Sequence, residues 1–143
     1  MRRVAVLAAV TVLVAACGSI AGGGGGTADA HVTFKEPLRV GPVTWRITVT
    51  NDTSHALDLT FPTGQRADVT LSRNGHTIYK WSRGQMFTQM VGHLRIPAGG
   101  NHAFTLDEPG LDVDPGEYTL TAVVVASNRH DLRDQREVTV RHM

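Results

Sequence analysis

Residues 67–81 read Ala-Asp-Val-Thr-Leu-Ser-Arg, then Asn-Gly, then His-Thr-Ile-Tyr-Lys-Trp. In the first run Ala67, Val69 and Leu71 alternate with Asp68, Thr70 and Ser72. A period of two sends successive side chains to opposite faces, which is the pattern of a strand with one face buried and one wet. Asn74-Gly75 is the pair best suited to a two-residue hairpin, because both central positions of that turn need a positive φ. The stretch therefore predicts a hairpin joining 67–73 to 76–81.

The same period continues on either side. Trp45, Ile47 and Val49 alternate with Arg46, Thr48 and Thr50, and Leu57, Leu59 and Phe61 with Asp58 and Thr60. Turn signals separate the runs at 51–54, Pro62-Thr63-Gly64, 97–100 and Asp114-Pro115-Gly116. No stretch after residue 30 keeps a helical pattern, and short strands at regular intervals suggest a sandwich or barrel. Tyr118 follows the turn Pro115-Gly116 and opens the apolar run 119–126. This resembles the tyrosine corner of immunoglobulin-like sandwiches, where the ring is buried and the hydroxyl returns to nearby backbone. Leu120, Ala122 and Val124 face one way and Val123 and Val125 the other, as in a central strand. The final strand is expected over Arg136–Arg141, with Val138 and Val140 inward. The expected fold is all-β, an immunoglobulin-like antiparallel β-sandwich of seven or eight strands.

The N-terminus reads differently. Arg2-Arg3 precede an apolar and small run, Val4 to Ala16, and then Cys17, the single cysteine of the chain. A charged start, an apolar centre and small residues before a cut mark a secretory signal, and this run is too short to span a bilayer, which takes about 20 apolar residues. Val14-Ala15-Ala16-Cys17 resembles the lipobox of bacterial lipoproteins. The resemblance implies a signal peptide over 1–16 and an acylated Cys17 at the new N-terminus. Gly18 to Ala30, with five glycines in a row at 22–26, reads as a flexible tether whose 13 residues would span roughly 20 Å. The expected organisation is 1–16 signal, 17–30 lipidated cysteine and tether, and 31–143 folded domain. The protein is then exported and lipid-anchored to the cell membrane or outer membrane of a bacterium.

The whole chain has a formal charge of +1, which becomes −1 once Arg2 and Arg3 leave with the signal. That balance argues against nucleic acid as a partner. With Cys17 acylated no disulfide forms, so the core alone must hold the domain, and a little over a hundred residues suffice. The seven histidines are scattered, with no H-x-H or H-E-x-x-H spacing. Neither a Gly-x-Ser-x-Gly elbow nor a P-loop is present, and Asp112 with Asp114 falls well short of the six or so oxygens that calcium needs. The expectation is therefore no catalytic residue, no metal and no cofactor.

One ordered set of residues is more specific. Asn51, Leu59-Thr60-Phe61, Thr63-Gly64-Gln65, Asp68, Trp81-Ser82, Gly84, Met86-Phe87-Thr88-Gln89, Pro97-Ala98-Gly99 and Pro115-Gly116-Glu117-Tyr118 follow one another. Together they resemble the intracellular proteinase inhibitor (BsuPI) family over about Val43 to Val125. Trp-Ser-x-Gly-x-x-Phe-x-Gln is the specific part of the likeness. Ala67 departs from the aromatic residue that family tends to place before Asp68. The resemblance implies an immunoglobulin-like sandwich that inhibits subtilisin-type serine proteases.

A substrate-like inhibitor needs an exposed segment held rigid, because ordering a loop on binding costs free energy. The candidate is Ser82 to Gly92, with Met86, Phe87 and Met90 as candidate protease contacts. All three also have a reading as core residues, Phe87 beside Trp81 since aromatics bury large areas, and Met86 and Met90 as gap-fillers. Gln65 and Asp68 read as structural, satisfying local donors, with Arg66 or Arg83 as a basic partner for Asp68. The loops 51–55, 107–115 and 127–135 are further binding candidates, the last read as a solvated hairpin tip. The expected protein is a monomer and not an enzyme. Its partner is an extracytoplasmic protease or, on the alternative reading, another envelope protein docked by a non-inhibitory binding module.

Overall fold

The computed structural model describes residues 26–143. The expected signal, Cys17 and most of the tether lie outside the described residues. Nine strands follow in chain order: β1 (Ala28–Thr33), β2 (Gly41–Asn51), β3 (Leu57–Phe61), β4 (Ala67–Arg73), β5 (His76–Lys80), β6 (Gly92–Ile96), β7 (Asn101–Leu111), β8 (Gly116–Val124) and β9 (Arg133–Val140). They form an antiparallel sheet β1-β2-β7, a facing sheet β5-β4-β8-β9 and a two-stranded ribbon β3-β6. Among the described residues the count is nine, against seven or eight expected.

The predicted hairpin is β4–β5. Asn74 and Gly75 take φ of 53° and 79°, the pair of positive values that a two-residue turn requires. A register shift next to Leu71 places Ile78 opposite no partner on β4. Along β2 the side chains of Val43, Trp45, Ile47 and Val49 are buried while their neighbours face out. Tyr118, Leu120, Ala122 and Val124 do the same on β8. Their inward faces meet as β1 and β2 contact β8, β1 contacts β9, and β4 contacts β7. The Tyr118 hydroxyl donates to the Asp114 carbonyl at 2.6 Å with its ring 2% exposed, so the corner closes as its sequence predicts.

The ribbon β3-β6 continues the β2-β7 ladder through Asn51. Its backbone exchanges hydrogen bonds with Gly99 and Gly100 at 2.7 and 2.8 Å. Its fully buried amide donates to the carbonyls of His55, Ile96 and Pro97 at 2.9, 3.0 and 3.2 Å. Its Oδ1 accepts from the Thr53 backbone and hydroxyl. A buried amide is stable there because backbone groups satisfy it on every side. The 51–55 loop is thereby closed on itself.

Two sequence expectations are corrected. Ala28, Asp29 and Ala30, assigned to the tether, form half of β1, pairing with Asn51, Thr50 and Val49. A period of two over so few small residues is lost beside a glycine run, and only the pairing with β2 reveals the strand. The segment 127–135 is not a solvated tip. Leu132 is fully buried, Asn128 caps the edge of β3 by accepting from the Thr60 N–H at 3.0 Å and donating to the Asp58 carbonyl at 2.8 Å, and Arg133 to Gln135 belong to β9. Asn128 thus supplies the side-chain equivalent of a strand's hydrogen bonds to an otherwise open edge. The outer edge of β1 is covered likewise. Asp134 accepts from the Val32 N–H at 2.9 Å and Arg136 donates to the Val32 carbonyl.

Candidate functional site

Beyond β5 the chain leaves the four-stranded sheet at Trp81 and enters the ribbon at Gly92, where β6 begins. Asp68 sits at the root of this excursion. The alternation of β4 places it on the wet face, yet it is 3% exposed because the Trp81-Ser82 turn folds over it. Its Oδ1 accepts from the backbone N–H groups of Val69 and Ser82 at 2.9 and 3.0 Å. Its Oδ2 accepts from the Ser82 hydroxyl at 2.6 Å and lies 2.9 Å from the Lys80 ammonium. A buried carboxylate is tolerated because every acceptor direction is used and a cation is paired with it. The basic partner is Lys80, and the expected Arg66 or Arg83 is not involved. Neither was separable from Lys80 by sequence, since β5 brings Lys80 across from Thr70 only once the hairpin forms.

Three further contacts pin the loop. The Trp81 indole donates to the Asp107 carbonyl on β7 at 3.0 Å. Phe87 packs on Trp81 with ring centroids 5.9 Å apart, so it is half-buried as part of the brace. The Gly64 N–H donates to the Thr88 carbonyl at 2.8 Å. A Cβ on Gly64 would come within 2.6 Å of the Thr88 hydroxyl, so glycine is what lets the two segments touch. Gly84, with φ of 90°, turns the chain after Ser82. Gly92 pairs with Phe61 where the loop rejoins the ribbon, and the Arg66 guanidinium occupies the space beside Gly92 while lying 4.5 Å over the Phe61 ring.

The residues between these clamps are exposed. Met86 is 96%, Met90 74% and Val91 60% exposed. Gln65 stays local, its amide donating to the Ala67 carbonyl at 3.2 Å, and Gln89 donates to the Phe87 carbonyl at 3.3 Å. The Trp-Ser-x-Gly-x-x-Phe spacing therefore has a physical meaning. Ser82 ties one end to Asp68, Gly84 reverses the chain, and Phe87 returns to Trp81, leaving Met86 outside.

From Val69 to Leu106 the chain holds no Asp or Glu, but Arg73, Lys80, Arg83 and Arg95. Lys80 is paired with Asp68 and Arg95 lies 3.6 Å from Asp58. Among the described residues Arg83 forms no ion pair. Among the described residues, too, no three His, Cys, Asp or Glu side chains gather as metal ligands would.

Behind the loop lies a cluster that sequence reasoning missed. Tyr79 donates to Glu108 at 2.8 Å and accepts from the Trp45 indole at 3.3 Å. Burial pushes the Tyr79 hydroxyl well above the usual tyrosine range, against the Trp45 hydrogen bond that lowers it, and Glu108 pushes it further up. The folded chain then keeps a proton that the unfolded chain releases at about pH 10. The resulting stability is complete below that pH and is lost as pH rises through the folded-state value. The unfolding midpoint in urea should fall from pH 9 to pH 11, and Tyr79→Phe should flatten that dependence.

The likeness to known proteins agrees with this geometry. No curated protein matches the chain. Among solved structures, the sporulation control protein Spo0M from Bacillus subtilis superposes with a TM-score of 0.51 at 16% identity, over 81% of this chain and 50% of that one. The chain thus spans half the length of Spo0M, and the likeness shows the sandwich fold alone. The CARDB domain of the PF1109 protein from Pyrococcus furiosus gives a TM-score of 0.43 at 14% identity, over 82% and 93% of the two chains. The model of the intracellular proteinase inhibitor family, BsuPI, matches residues 30–129, a span that takes in Asp68, the whole braced loop and the Tyr118 corner. The chain belongs to the BsuPI family of proteinase inhibitors.

Proposed function

We propose that the protein is an exported, lipid-anchored inhibitor that blocks a subtilisin-type serine protease with the loop 82–92, Met86 entering the enzyme's apolar specificity pocket. It acts by occupying the cleft, without catalysis and without a cofactor. The observation that carries this reading is the pairing of clamp and exposure: Ser82, Phe87 and Thr88 are tied to the sandwich while Met86 is 96% exposed. A loop already ordered loses little entropy on binding, and here hydrogen bonds and a tilted ring contact do what disulfides do in many small inhibitors. The unpaired Arg83 on the loop suits a protease whose cleft rim is acidic, and such charge complementarity speeds encounter.

The test is titration of a panel of subtilisin-type proteases with the purified chain. Tight, stoichiometric inhibition whose onset slows with added salt is expected. A folded chain that inhibits none of them would move the assignment to a non-inhibitory envelope-binding module.

Anchoring is supported by the sequence 1–17, and it has a separate test. Cys17→Ala should abolish labelling by a radioactive fatty acid and leave an uncleaved precursor of higher mass in the cell. Processing of the variant at the same bond would refute the lipid anchor.

A further inference from the structure

Methionine ordinarily fills gaps in cores, yet none of the buried core residues of this domain is a methionine. Among the described residues Met86, Met90 and Met143 are all exposed, by 96%, 74% and 84%. Two of the three stand four positions apart on the one loop that the fold clamps and then leaves outside. The clamps use Trp81, Ser82, Phe87 and the Thr88 backbone, and neither methionine takes part in them.

We propose that Met86 and Met90 are a peroxide-responsive modification site, at which conversion to the sulfoxide switches off the loop's apolar contact while the fold stays intact. This rests on the reading of the loop as the protease contact. In the reaction a sulfur lone pair attacks one peroxide oxygen. The S–O bond forms, the O–O bond breaks, and the other oxygen leaves as water after taking up the transferred proton. Sulfur is oxidised by two electrons and the peroxide is reduced by two. The thioether needs no deprotonation and no neighbouring base, so exposure governs its reactivity. The product is a polar group at the position that has to enter an apolar pocket, where an unsatisfied oxygen is costly. A sulfoxide reductase with a thiol reductant reverses the change. Met143 is equally open, but it lies beside Gly41, away from the clamped loop, and serves as an internal control.

The experiment treats the full chain with hydrogen peroxide and follows it three ways: peptide mass for the site of oxygen addition, thermal unfolding for the fold, and inhibition of a subtilisin-type protease. Sulfoxide should form at Met86 and Met90 about as fast as in free methionine, the unfolding midpoint should hold, and inhibition should weaken by about tenfold or more. Reductase treatment should restore it. In the double variant Met86→Leu with Met90→Leu, whatever inhibition remains should be unchanged by peroxide, whereas Met143→Leu should stay sensitive. Protection of both methionines, unfolding on oxidation, or full inhibition by the disulfoxide would overturn the switch alone. An untreated chain that inhibits nothing would overturn it together with the inhibitor reading.

Discussion

Asp68→Ala should lower the free energy of unfolding by about 3 kcal/mol and abolish the proposed inhibition. Removing one member of a buried ion pair typically costs about 3–5 kcal/mol, because the partner is left uncompensated. The low end applies here, since Lys80 is 46% exposed and water can take over its ammonium. What water does not reach so easily is the rest of the site. The Ser82 N–H, the Ser82 hydroxyl and the Val69 N–H all lose their acceptor together. Those first two bonds hold the start of the loop, so the variant both destabilises the hairpin and releases the segment that carries Met86. Urea unfolding of the two proteins measures the first effect and protease titration the second. Two milder changes grade the response. Ser82→Ala removes one hydroxyl bond to a charged carboxylate and should cost about 2 kcal/mol, while Asp68→Asn keeps the shape and loses the charge. Asp68→Ala with unchanged stability would mean that the buried network is not what holds the turn.

Met86→Ala behaves in the opposite way. Stability should not change, because a side chain 96% exposed buries almost nothing in the fold. Inhibition should weaken by about 30-fold or more, the consequence of losing a central anchor worth about 2 kcal/mol. Phe87→Ala separates anchor from brace. Its ring packs on Trp81, so its removal should lower stability and affinity together by loosening the loop. Denaturation curves beside inhibition constants for the two variants decide the matter. If Met86→Ala inhibits as well as the parent, the contact lies elsewhere, and the proposed loop is wrong even if the protein inhibits.

Much of the fold was legible because its signals are local. The alternation 67–73, the Asn74-Gly75 turn, the β2 pattern around Trp45 and the Tyr118 corner each depend on residues close in the chain, and each forms as read. The candidate loop could be delimited from its composition and from the Trp81-Ser82-x-Gly84-x-x-Phe87 spacing. The reason for that spacing could not be read. It lies in contacts with Asp68, Asp107 and Gly64, which come from three other parts of the chain.

The sequence by itself determined the strand period, the hairpin and the corner, because backbone geometry ties those features to neighbouring residues. Only the tertiary structure decided that Asp68 is buried and paired with Lys80, that Ala28–Ala30 are strand, that Leu132 is core, and that Met86 is open while Phe87 is a brace. In each case the deciding partner is brought up by the folding of another segment. Period two states which side of a strand a residue faces, and it is silent on whether another segment folds over that side.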